Sequence, residues 1–206
     1  RGICKSTKGV LKARDHIVTS QYLFGNTASL FQTFERHGIE VSFVDATEVA
    51  HVEKALRPNT KIVFTETIAK PRTQIADLAD IGALCAKHSL LYVVDNTITT
   101  PFLFQPASAG AHLVINSLTK YIGGHGNALG GAITDLGSFD WERFDNILEL
   151  YRVGNPAQWG INQIKKKGLR DFGASMAPDA AHRLSVGADT LALRMARCCE
   201  SADRIA

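Results

Sequence analysis

The sequence predicts an α/β domain built on a mostly parallel, doubly wound sheet. Short apolar runs rich in β-branched and aromatic residues alternate with longer amphipathic stretches through the first two-thirds of the chain. These runs are apolar on both faces, as strands covered by helices on either side must be. Nearly all of them end in polar or small residues, at the carboxyl edge where open α/β sheets bind ligands.

In chain order the predicted strands are His16-Ile17-Val18-Thr19, Glu40-Val41-Ser42-Phe43-Val44, Lys61-Ile62-Val63-Phe64, Leu90-Leu91-Tyr92-Val93-Val94 and His112-Leu113-Val114-Ile115. Their polar ends are Thr19-Ser20, Asp45, Thr65-Glu66, Asp95-Asn96-Thr97 and Asn116-Ser117. Between them, residues 28–37 place Leu30, Phe31 and Phe34 on one helical face, and residues 75–88 repeat Leu78, Ile81, Leu84 and Cys85 at helical spacing. After residue 135 the pattern turns irregular, with Phe139, Trp141, Phe144, Tyr151 and Trp159. From about Pro178 it reads as one last helix running to the chain end, marked by Leu184, Leu191, Leu193 and Met195.

With 206 residues, 45% hydrophobic and 21% charged, the chain suffices for one domain with a sizeable core and does not have a disordered composition. No apolar run approaches the roughly 20 residues of a membrane span, so no membrane partner is expected. The start Arg1-Gly2-Ile3-Cys4-Lys5 lacks a signal-peptide core, and a cytoplasmic location is expected. A net charge of +3 is too small to point to nucleic acid, and Lys165-Lys166-Lys167 with Arg170 reads as a solvated helix face. Cys4, Cys85, Cys198 and Cys199 form no C-x-x-C pair and are expected to be reduced, buried thiols; the scattered histidines include no H-E-x-x-H, so no metal site is expected.

Two strand ends carry the chemistry. A carboxylate at Asp95 would be held rigidly in a low-dielectric place, where it needs a cationic partner. A protonated pyridine nitrogen is such a partner. Beyond the next strand come Ser117 and Thr119, able to donate to phosphate oxygens, and Lys120, whose desolvated amine can form an imine with an aldehyde. Ring-nitrogen anchor, phosphate anchor and covalent lysine together are what pyridoxal phosphate (PLP) requires. The glycines Gly123-Gly124-His125-Gly126 and Gly130-Gly131 follow the lysine rather than joining a strand to a helix. That excludes a dinucleotide fingerprint and suits close backbone approach to a cofactor.

Val93-Val94-Asp95-Asn96-Thr97 followed by Ser117-Leu118-Thr119-Lys120-Tyr121-Ile122-Gly123-Gly124-His125-Gly126 resembles the PLP signature of the Cys/Met-metabolism (trans-sulfuration) enzymes. The family includes cystathionine γ-synthase, cystathionine γ-lyase, methionine γ-lyase and O-acetylhomoserine sulfhydrylase. Asp15-His16-Ile17-Val18 through Phe24-Gly25-Asn26-Thr27 and Thr190-Leu191-Ala192-Leu193-Arg194-Met195 extend the resemblance over almost the whole chain. Asn155-Pro156-Ala157-Gln158-Trp159-Gly160, the stretch from Lys165 through Leu169 to Gly173, and Gly130 through Asp135 with Phe139-Asp140-Trp141 are most similar to the O-acetylhomoserine sulfhydrylase branch.

The resemblance implies the large domain of a fold-type-I, aspartate-aminotransferase-like PLP transferase over residues 1–180. Residues 181–206 would form a helix leading toward a C-terminal small domain outside this chain. It implies Lys120 as Schiff-base lysine and general acid–base, Asp95 as partner of the pyridinium, Ser117 and Thr119 as phosphate hydroxyls, and Thr97 as part of the cofactor site. Phe24 stands where the family has a ring-stacking Tyr, so the π-face is kept and the hydroxyl lost. Lys70, in Thr67-Ile68-Ala69-Lys70-Pro71, stands where an Asn contacts the cofactor's phenolic oxygen. Arg14 occupies a glycine position in a turn that favours positive φ, and Lys5 and Lys8 interrupt a helix expected to be apolar on one side.

A Gly-rich phosphate turn, a Tyr and Arg from a neighbouring subunit, and the Arg for the substrate carboxylate would lie outside the chain, which therefore reads as a fragment or truncated copy. The implied activity is γ-replacement on an O-acylated homoserine with sulfide or a thiol, by a homo-oligomer. The alternatives are a γ- or β-lyase or γ-synthase of the same family, and a non-catalytic remnant.

Overall fold

The structure, a computed structural model, describes residues 2–70 and 72–206, and of Cys4 and Lys5 the backbone alone. The expectations for Cys4, Lys5 and Pro71 therefore fall outside the described residues. The elements are α1 (Gly2–Lys8), β1 (His16–Ser20), α2 (Gly25–Glu35), β2 (Glu40–Val44), α3 (Val49–Ala55), β3 (Thr60–Glu66), α4 (Leu78–Lys87), β4 (Leu91–Asp95), α5 (Thr100–Leu103), β5 (Leu113–Ser117), β6 (Gly131–Asp135), α6 (Trp159–Gln163), a π-helical segment (Ile164–Asp171), α7 (Pro178–Ala188) and α8 (Leu191–Ile205), with short 3₁₀ turns between.

The strands form one sheet in the order β2-β1-β3-β4-β5-β6. The first five are parallel and β6 runs antiparallel to β5, Ser117 pairing with Gly131. The sheet divides two cores. On one face Ile17, Ile62, Phe64, Leu91 and Val93 pack with Phe31, Phe34 and Trp141. On the other Val18, Val63, Tyr92 and Val94 pack with Ile81, Leu84 and Cys85. Successive strand residues thus alternate between the two cores, the period-two geometry that makes a doubly covered strand continuously apolar. Each fully buried aliphatic or Phe side chain stabilises by about 1.5–3 kcal/mol.

Several expectations change. The helix predicted over 75–88 begins at Leu78, because Ile75 pairs in an isolated antiparallel bridge with Ile68 and closes the loop that carries Lys70. The last helix is two: α7 and α8 bend apart at Asp189 and Thr190, and Leu193 is 76% exposed rather than core. Cys85 is a buried thiol whose pKa burial pushes up to about 12, whereas Cys198 and Cys199 are exposed on α8, which buries Met195 instead. Lys8, the last residue of α1, still packs against apolar neighbours: its ammonium lies 5.3 Å from the Phe34 ring centroid and 5.7 Å from that of Phe172, a cation–π contact reached along its aliphatic stem. Arg14 does adopt the left-handed conformation, at φ +73°. No helix among the described residues is long and apolar enough to cross a membrane.

At the amino edge of the sheet His16 hydrogen-bonds Thr60 Oγ1 through Nδ1 (2.8 Å) and Ser42 Oγ through Nε2 (2.9 Å), tying three strands together. Burial, aided by the Arg57 charge and opposed by Glu40, lowers its pKa to about 4. The ring is neutral and structural there, and the opposite edge is left for chemistry.

Candidate active site

At the carboxyl edge a cavity of about 930 Å³ opens, the size of a small-molecule site. Every residue singled out in the sequence lines it: Phe24, Lys70, Asp95, Thr97, Ser117, Thr119 and Lys120. They arrive from the β1–α2 loop, the loop after β3, and the ends of β4 and β5. The sequence separates these places by about 100 residues, and the parallel register brings them to one edge.

Asp95 is held by its neighbour two residues on. The Thr97 backbone N–H donates to Asp95 Oδ1 at 3.0 Å and the Thr97 hydroxyl makes a short bond to the same oxygen. The Thr97 oxygen in turn accepts from the Ser117 backbone N–H at 2.8 Å, so one relay fixes the ends of β4 and β5 to each other. Burial pushes the Asp95 pKa up, and the two Thr97 bonds act against it. Among the described residues no Lys or Arg side chain forms an ion pair with this carboxylate. It is therefore a partly buried acceptor, open to the cavity and suited to a cationic ring nitrogen.

Lys120 follows β5 in a turn closed by Lys120 N–H to Ser117 O (3.2 Å), Gly123 N–H to Leu118 O (2.8 Å) and Gly124 N–H to Lys120 O (2.8 Å). Its side chain is exposed in the cavity wall. Thr119 is more committed than its sequence suggests. Its hydroxyl donates to Gly130 O (3.2 Å) and accepts from Gly130 N–H (3.0 Å), closing the loop of residues 120–129 at its neck.

Phe24 sits at the start of α2, 45% exposed, and its backbone N–H donates to both Glu66 carboxylate oxygens at 3.0 and 3.3 Å. Glu66, given no role from the sequence, is the main residue missed. It ends β3 inside the cavity wall, and burial raises its pKa to about 7. The N–H groups of Phe24 and Lys70 and the Lys70 charge pull the other way, while Asp95 adds to the rise. Its position at a strand's polar end was the available signal. Leu193, Arg194, Arg197 and Cys198 of α8 form a further wall that the sequence did not announce.

A model of the Cys/Met metabolism PLP-dependent enzyme family matches residues 2–206. The chain belongs to that family. It is similar to the O-acetyl-L-homoserine sulfhydrylase of Leptospira meyeri, 33% identical over 96% of this chain and 49% of that protein. It is 36% identical to an L-methionine γ-lyase of Porphyromonas gingivalis, over 95% of this chain and 45% of that one. The solved O-acetylhomoserine sulfhydrylase of Wolinella succinogenes superposes with a TM-score of 0.86 at 34% identity, covering 93% of this chain and 54% of that chain. The chain thus spans about half the length of the relatives it matches. The family is PLP-dependent, and the cavity fits that cofactor: a partly buried carboxylate with no Lys or Arg ion-pair partner among the described residues, hydroxyls at a strand end, a ring in the wall and an accessible lysine amine.

Proposed function

We propose that the chain forms the cofactor-bearing part of an O-acylhomoserine sulfhydrylase, which joins sulfide or a thiol to the γ-carbon of an O-acylated homoserine. The observation that carries this reading is the single cavity gathering Lys120, Asp95, Ser117 and Phe24 in a member of a PLP-dependent family. Asp95 would take the pyridine nitrogen, with Thr97 steadying its carboxylate. Ser117 and Thr119 would hold the phosphate, Phe24 would cover the ring face, and Lys70 would approach the phenolic oxygen. PLP, when bound, supplies an electron sink for charge on the substrate's α-carbon. Lys120 is the residue that binds it and afterwards carries protons between substrate carbons as general acid and base. Residues 1–180 constitute the large domain in this reading and residues 181–206 lead toward a small one. The whole enzyme is a cytoplasmic homo-oligomer acting on an amino-acid substrate.

The test is reductive trapping. After incubation with PLP and borohydride, the pyridoxyl group should sit on Lys120, and Lys120→Ala should abolish it. An adduct on Lys70 or Lys87 refutes the assignment. The similarity to a methionine γ-lyase supports a second reading, γ-elimination. Release of ammonia and a 2-oxo acid without incorporation of sulfide would favour it. The Lys70 substitution supports a third, a remnant that does not turn over.

A further inference from the structure

The turn after Lys120 is gripped from outside the sheet. Arg194, in the first turn of α8, donates from Nη1 to Tyr121 O and from Nη2 to Ile122 O at 3.0 Å. The same Nη2 reaches Gly187 O at 2.7 Å, and Nε reaches Thr190 Oγ1 at 2.9 Å. Thr190 itself donates to Gly187 O at 3.2 Å. One planar fork therefore joins the two carbonyls that follow Lys120 to a carbonyl in the last turn of α7, which has no partner within its own helix.

The packing around the fork admits no side chain. A Cβ at Gly187 would lie 2.0 Å from Gly123 O, and a Cβ at Gly124, which has φ +73°, would lie 2.4 Å from the Arg194 guanidinium carbon. Glycine at both places lets the α7–α8 corner meet the lysine turn backbone to backbone. The bend between α7 and α8 is the geometry that delivers Arg194 to this spot.

We propose that Arg194 is a positioning residue for Lys120: it fixes the backbone of residues 121 and 122, and so the point from which the lysine side chain enters the cavity. Arg194 lines the cavity, so a role as an anion receptor is the obvious rival. Donor accounting disfavours it. A guanidinium has five N–H groups, and the four bonds just described leave one. Because α8 is also the far wall of the cavity, the same fork couples any displacement of α8 to the lysine. The identity of Lys120 as the covalent residue rests on the function proposed above; the grip on its turn does not.

Two measurements separate these. Amide hydrogen exchange without cofactor reads the grip alone. In Arg194→Ala, exchange at residues 121–124 should accelerate by roughly tenfold or more, with β3, β4 and β5 unchanged. Arg194→Lys, which keeps the charge and the stem but not the fork, should behave like Arg194→Ala. Reductive trapping with PLP then reads the consequence. Trapping at Lys120 should slow in both variants, and added guanidinium ion should restore it in Arg194→Ala, whereas an alkylammonium ion should not. Exchange at 121–124 equal to that of the unaltered protein overturns the proposal. So does faster exchange spread over the sheet, which marks Arg194 as general scaffolding. If the unaltered protein is trapped elsewhere than Lys120, the functional reading fails and the exchange result still decides the grip.

Discussion

Replacing Glu66 with Gln should change how folding stability depends on pH, in a direction opposite to ordinary carboxylates. Glu66 has its pKa raised from 4.5 to about 7, chiefly by burial. Below pH 4.5 the carboxyl is protonated whether the chain is folded or not, and it contributes no pH dependence. Between these values the folded chain holds a proton that the unfolded chain releases, so raising the pH favours unfolding. At about 1.36 kcal/mol for each pH unit of displacement, the loss reaches about 3 kcal/mol above pH 7. Glutamine keeps an oxygen that can accept from the Phe24 N–H and removes the titration. His16 and His112, both lowered to about 4 mainly by burial, act in the opposite sense, costing stability as the pH falls below 6.5. Their contribution is common to both proteins and cancels in the difference. Urea denaturation between about pH 5 and pH 8 should show Glu66→Gln gaining on the unaltered chain by up to about 3 kcal/mol. Two curves that stay parallel across that window would refute the reasoning.

Arg14→Gly should stabilise the fold. The side chain is exposed, and its φ of +73° costs a non-glycine residue about 1–2 kcal/mol. Glycine returns about 0.4–1 kcal/mol through the freer unfolded chain, leaving a net gain of up to about 1.6 kcal/mol and a rise in Tm of up to about 6 °C by calorimetry; a lower Tm contradicts this. Asp95→Asn should weaken PLP binding in a fluorescence titration without lowering the Tm of the cofactor-free protein, because a carboxylate disfavoured by burial is replaced by a neutral isostere. Affinity as high as that of the unaltered protein would remove Asp95 from the site. Lys70→Asn should raise PLP affinity and move the Glu66 titration upward, since the Lys70 charge is one of the influences that hold that pKa down. Neither change occurring would make Lys70 a neutral substitution.

Four of the parallel strands, β1, β3, β4 and β5, were legible because burial on both faces writes itself as a largely apolar run, and the edge strand β2, exposed or partly exposed throughout, was legible from Val41, Phe43 and Val44. β6 was not, because Gly131-Ala132-Ile133-Thr134-Asp135 is an edge strand, partly exposed along its length, and carries no such run. The break between α7 and α8 was equally silent. Asp189 and Thr190 include neither glycine nor proline, and the bend goes with contacts of Arg194 to a turn some 70 residues away. The positive φ of Arg14 could be anticipated by resemblance alone, since arginine does not announce it. In the site, Asp95 and Lys120 stood out because their chemistry follows from residue type at a strand end. The state of Glu66 could not, because it depends on burial and on backbone donors from Phe24 and Lys70.

The neck at Thr119 has a consequence for occupancy. A hydroxyl owns one proton, and here it is given to Gly130 O. An anion that recruits that proton must release the carbonyl, so ligand and loop compete for a single hydrogen. The Gly130 N–H still donates to the same oxygen, so filling this hydroxyl exchanges one of the two bonds at the neck and leaves the other in place. Whatever strengthens the bond from the hydroxyl to Gly130 O must weaken anion binding at that hydroxyl by the same factor. In the cofactor site proposed above, one threonine thus links a bond at the loop's neck to the occupancy of the position proposed for the phosphate.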